Sequence, residues 1–169
     1  MDARTYLQQQ FSEVHGYANA VLNDLTDELL NWSPPGTIGP ISGILVHLLA
    51  TEDFFIQKVV QGKARLWDEQ GWGEKTGVAH TPDYGESWEV FRTMKLSTAN
   101  LAEYKQVIFP ATEACLAGLS DADLDRLVKF GEGVHPVGDV LALLAVHTAS
   151  HAGEIAAVKG IQDVKGLPF

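Results

Sequence analysis

Apolar residues recur at three- and four-residue intervals along four separate stretches of this chain, and no segment alternates with period two for long. That spacing belongs to helices burying one face, and it restricts the fold to packed helices. Leu7, Phe11, Val14, Ala18, Val21, Leu22 and Leu25 form the first stripe, on a helix from roughly Ala3 to Asn23. It stops before Asn31-Trp32-Ser33-Pro34-Pro35-Gly36, a loop by its proline and glycine content. A second helix starts near Pro40, which a first turn tolerates. It carries Ile41, Ile44, Leu45, Leu48, Phe55, Ile56 and Val59, and stops at Gly62. A third is expected from about Glu86 to Gly118, with Trp88, Phe91, Met94, Leu101, Tyr104 and Ile108 on its stripe; Pro110 should kink it or end its first part. Val137, Val140, Leu141, Leu144, His147, Thr148, His151 and Ile155 make the fourth, closing at Gly160. The expectation is an all-α fold with four main helices in one domain, residues 1–169.

Between Gly62 and Tyr84 the periodicity fails, and Gly62, Gly71, Gly73, Gly77 and Pro82 punctuate the segment. A connection this long is a crossover or a functional cover. It holds Trp67 and Trp72, which are costly to expose and should pack over something. Two short segments echo each other: Leu25-Thr26-Asp27-Glu28-Leu29 precedes the second helix, and Leu119-Ser120-Asp121-Ala122-Asp123-Leu124 the fourth. Each reads as a hydroxyl cap followed by first-turn acids, the pattern of a short helical turn.

With 22 acidic against 12 basic side chains the formal net charge is −10, and no Lys/Arg cluster offsets it. Nucleic acid or an anionic membrane would meet repulsion, so neither is an expected partner. The single cysteine, Cys115, excludes an internal disulfide and suits a reducing compartment. The opening residues lack an apolar signal core, and no uninterrupted apolar run approaches membrane-spanning length. A cytoplasmic protein is the expectation.

The chemistry is concentrated in three histidines. His147 and His151 stand four apart, one above the other on a helix, where both imidazoles can reach one ion. Both fall on the fourth helix's inner stripe, and a buried imidazole without a partner costs about 1–3 kcal/mol. A shared metal would satisfy both. His47 sits a hundred positions earlier in Ile44-Leu45-Val46-His47-Leu48-Leu49. It is about 9 Å from its helix start, while His151 and His147 are about 13 Å and 19 Å from the end of theirs, by rise per residue. Antiparallel second and fourth helices would put all three near one level. Three imidazoles leave a coordination position open, the mark of a catalytic rather than a structural site.

Other metal patterns fit worse: Thr148 stands where a zincin needs Glu, and the chain has no Glu-x-x-His for a di-iron bundle. Glu154, one turn after His151, is a candidate partner of that imidazole or a proton acceptor, and so a candidate catalytic residue. His15 lies near the inward face of the first helix and reads as a core or interface residue. His80 and His135 read as loop residues, Cys115 as a small core residue, and Glu52 and Asp53 as surface charges.

Two stretches, Val46-His47-Leu48-Leu49-Ala50-Thr51-Glu52 and His147-Thr148-Ala149-Ser150-His151-Ala152-Gly153-Glu154-Ile155, resemble the "xxHLxxxE" and "HxxxHxGEI" motifs of the DinB/YfiT-like superfamily of metal-dependent enzymes. The link Leu25-Thr26-Asp27-Glu28-Leu29…Trp32-Ser33-Pro34 also resembles that family's entry into its second helix. The resemblance implies a four-helix bundle in up-down-down-up order, whose parallel second and third helices need a long crossover. It implies a metal triad of His47, His147 and His151, nickel or zinc as the ion, and a homodimer. It also brings in thiol-dependent S-transferases and isomerases that use bacillithiol or mycothiol as cosubstrate. Val46, Leu49 and Val60, outside the main stripe of the second helix, point to a helix-face dimer as well.

Three functions are then open. The first is an enzyme that activates a thiol or water for transfer to, or hydrolysis of, a small electrophile held under the Trp67/Trp72 segment. The second is a non-catalytic metal- or ligand-binding dimer acting in stress. The third is a structural bundle without metal, in which the histidines pair with side chains.

Overall fold

A computed structural model describes residues 1–81 and 89–168. The expected positions Tyr84, Glu86 and Trp88 lie outside them. The described residues are predominantly helical: α1 Ala3–Leu22, α2 Asp27–Leu30, α3 Ile41–Asp53, α4 Leu66–Glu69, α5 Trp72–Thr76, α6 Glu89–Thr93, α7 Thr98–Gly118, α8 Asp121–Leu124 and α9 Val137–Ile161. α3 continues without interruption into a π-helical segment, Phe54–Val60. The four long helices contact one another in a ring, with α1 and α3 each touching both α7 and α9.

The short helices are built by their caps. Thr26 accepts from Leu29 N–H at the start of α2. Ser120 and Asp123 form a reciprocal capping box on α8. Pro40 and Pro136 occupy the N-cap positions of α3 and α9. The two echoing segments therefore have the same local construction.

The third helix is shorter than expected, because α6 and α7 are separate. The Asn31 side chain donates to Leu96 C=O (2.8 Å) and accepts from Leu96 N–H (2.8 Å), taking both backbone groups that a continuous helix would use. α7 then starts at Thr98, whose N–H and hydroxyl both donate to Asp27 (2.7 Å each). Pro110 does not end α7, which runs on to Gly118. Its missing N–H removes one helical hydrogen bond, and packing on both sides outweighs that loss.

Period-two order does occur. β1 Leu127–Phe130 pairs antiparallel with β2 Gly133–Pro136, Leu127 opposite Pro136 and Phe130 opposite Gly133, with Gly131 at φ +57° in the turn. Strands of four residues are too short to show alternation against the background. The hairpin is fastened to the π segment by Arg126, which donates to Val60 C=O (2.7 Å), and by Phe130 meeting Phe55 edge-on at 4.7 Å. His135 accordingly lies in a strand and not in a loop.

Trp67 and Trp72 are buried on α4 and α5, each ring about 5 Å from that of Tyr104 on α7 (5.2 and 5.1 Å). They are core residues rather than a cover over a substrate. Val46, Leu49 and Val60 are also buried within the chain. Only His47 and Thr51 of α3 are partly exposed, so Val46, Leu49 and Val60 present no free face for a second copy.

α9 is long and apolar enough to cross a membrane by length and composition. Core helices pass the same test, and Val137, Val140, Leu141, Leu144, Ile155 and Val158 of α9 are all buried against its neighbours. Lys159, 2% exposed, donates to Val21 C=O (3.0 Å) and Asn23 C=O (3.1 Å), satisfying carbonyls at the end of α1.

Candidate metal centre

α3 and α9 bring the three expected histidines together. One ring nitrogen from each of His47, His147 and His151 lies within 4.8 Å of the others. His47 Nε2 and His147 Nε2 are 3.0 Å apart, and the His147 and His151 rings lie 4.4 Å apart at 73°. The helical i, i+4 spacing sets the second relation, and the crossing of α3 over α9 sets the first.

The donor set fits a divalent ion. All three residues are half-buried. His151 Nδ1 is 2.8 Å from Glu154 Oε2, so Nδ1–H donates to the carboxylate and the Nε2 lone pair is left to coordinate. His147 Nδ1 is buried with no hydrogen-bond partner, so its polar work falls to Nε2, which points into the cluster. Burial, then the proximity of His151 and His47, push the His147 pKa down to about 3. That ring therefore stays in the neutral form that binds metals.

The same shift has a consequence for stability. Between pH 6.5 and about 3 the unfolded chain takes up a proton at this position and the folded chain does not. Stability of the metal-free protein should then fall as pH drops through that window, because the unfolded state binds more protons. Urea unfolding in chelator at pH 7.5 and at pH 5 should show a smaller pH difference for His147→Ala than for wild type. An unchanged difference would place the titration elsewhere.

The acids on α3 lie in the core. Glu52 (0% exposed) and Asp53 (1%) are buried, and neither is a surface charge. Glu52 Oε1 accepts from His15 Nε2 on α1 (2.9 Å) and from Thr112 Oγ1 on α7 (2.6 Å). His15 stacks on Phe109 at 3.8 Å, which makes it a core residue away from the triad's ring contacts. Asp53 Oδ1 accepts from Leu66 N–H (3.0 Å), and Oδ2 from Trp67 N–H (2.8 Å) and Tyr104 Oη–H (3.0 Å). Burial raises the Asp53 pKa against the opposing pull of these bonds. Helical-wheel reasoning missed this network because α3 is apolar nearly all round, so no position on it could be recognised as solvent-facing. Cys115 is half-buried, and burial raises its thiol pKa, in keeping with a core role.

A helical fold with three converging imidazoles on two of its long helices defines a protein able to hold a metal ion between them. The profile of the DinB superfamily matches residues 10–155, and the chain belongs to that superfamily. No curated protein sequence matches it. Among solved structures it is similar to the conserved protein of a locus from Enterococcus faecalis, at 16% identity and TM-score 0.82, over 94% of this chain and 96% of that one. It is also similar to a DinB-like protein from Bacillus cereus ATCC 10987, at 18% identity and TM-score 0.64, over 96% and 95%. Likeness at such identities speaks for the shared fold.

Proposed function

We propose that this chain is a metal-dependent enzyme that transfers a thiol to, or hydrolyses, a small electrophilic substrate. In this reading its four long helices form an up-down-down-up bundle, and His47, His147 and His151 hold one nickel or zinc ion. The observation that carries the proposal is the approach of the three imidazoles, with Nε2 of His47 and His147 3.0 Å apart. Such an ion supplies a Lewis acid that lowers the pKa of a bound water or thiol. The chain's own part is to keep the three imidazole donors in place. A low-molecular-weight thiol is the proposed cosubstrate, and the cytoplasm the proposed compartment. Metal analysis of protein purified without an affinity tag, followed by thiol-dependent conjugation assays, tests the proposal. Metal-free protein that retains full activity would overturn it.

Glu154 is assigned to hold His151 through Nδ1, and to accept a proton during turnover. Glu154→Ala should weaken metal binding by about 10–100-fold, the usual cost of losing a partner behind a metal ligand. Glu154→Gln, able to accept from Nδ1–H, should keep the ion and slow the reaction. Equal metal affinity and equal rate in both variants would assign Glu154 to the surface.

The outer face of α9 is the proposed surface for a homodimer: Leu143 (49% exposed), Val146 (65%) and Ile161 (52%) stand out from it. Exposed apolar side chains clustered on one helix face are what a second copy would cover. Sedimentation at micromolar concentration should give twice the chain mass. A Val146→Glu variant should give the monomer, and a monomeric wild type would count against the dimer.

A further inference from the structure

Apolar packing is non-directional, and it fixes the rotation of a helix about its own axis only weakly when every side is buried. α3 is such a helix: Ile41, Ile44, Leu45, Val46, Leu48 and Leu49 are all buried. Yet His47 on this helix has to meet His147 at 3.0 Å, so its rotation must be specified by something else. The directional contacts at the end of α3 all fall on two adjacent residues. Glu52 is held by His15 from α1 and Thr112 from α7. Asp53 is held by the first N–H groups of α4 and by Tyr104 of α7. Hydrogen bonds from three elements thus converge on one turn of α3. A rotation of that helix would break several of them together.

We propose that Glu52 and Asp53 are positioning residues for the metal centre: they set the rotation and height of α3, and so aim His47 at His147 and His151. Polar groups buried in an apolar interface serve elsewhere as register devices at some expense in stability. Here the register they set is that of a ligand. The proposal rests on the metal reading given above, and its test separates the two.

Glu52→Leu replaces the buried carboxylate with an apolar side chain of similar size and leaves His15 and Thr112 without their acceptor, which costs stability as well. Thr112→Val removes only the hydroxyl donor. Glu52→Gln keeps an oxygen for His15 and Thr112. Zinc affinity is measured by chelator competition, with urea unfolding beside it. Glu52→Leu should bind zinc at least about tenfold more weakly, since sites lose function when displaced by fractions of an ångström. Thr112→Val should weaken binding by less, and Glu52→Gln should restore it; the affinities are taken on fully folded protein without urea, where lost stability alone does not move them. Should Glu52→Leu fail to fold, Thr112→Val and Glu52→Gln still decide. Wild-type affinity in every folded variant overturns the proposal. If wild type itself binds no zinc, the metal reading fails instead, and the metal-free crystal structures then judge the positioning role. The 3.0 Å approach of His47 to His147 should be lost in the Glu52→Leu or Thr112→Val protein, and its survival in both would be fatal.

Discussion

Replacing His147 or His151 with Ala should reduce metal content from about one divalent ion per chain to a trace. Each variant deletes one of three donors, and two imidazoles cannot hold the ion against buffer and water. A drop in affinity of at least about 100-fold is expected, larger than for any change behind the ligands. His47→Ala should behave alike, since its Nε2 meets that of His147 across the two helices. His135→Ala is the control: that ring lies in the hairpin beside Phe130, and metal content should stay unchanged. Full occupancy in either α9 variant would dismiss the triad.

The largest stability effect should come from Asp53→Ala. Three donors lose their acceptor at once: the N–H groups of Leu66 and Trp67 and the hydroxyl of Tyr104. A buried donor left unpaired costs about 1–3 kcal/mol, and water reaching the partly exposed start of α4 relieves some of that. A net loss of about 3 kcal/mol is expected in urea unfolding. Asp53→Asn should fall between, because one oxygen remains where both are in use. A loss below about 1 kcal/mol for Asp53→Ala would show that the carboxylate's burial had cost nearly as much as its bonds returned.

The fold was readable wherever a helix has a wet side and a dry side. α1 and α9 end within a residue or two of where their stripes and caps placed them, and the triad followed from the spacing of His147 and His151. Misreadings cluster where local pattern was overruled by distant partners. The break before α7 depends on Asn31, 65 positions away in sequence from Leu96. The burial of Glu52 depends on His15 and Thr112, 37 and 60 positions away. No helical period encodes such partners. The hairpin was missed for a different reason: its strands are shorter than the window in which alternation can be counted.

The contact of α9 with α1 has a consequence for biosynthesis. α1 meets α7 before it meets α9, and Lys159 reaches Val21 across 138 positions of sequence. His47 waits likewise for His147, 100 positions later, on the order of 5–20 s at ordinary rates of translation. Through that interval the side of α3 that faces α9 is uncovered, and open apolar surface favours aggregation. The three-histidine cluster is complete only once α9 has been made, so a truncated chain lacking α9 should be both unable to assemble it and prone to aggregate.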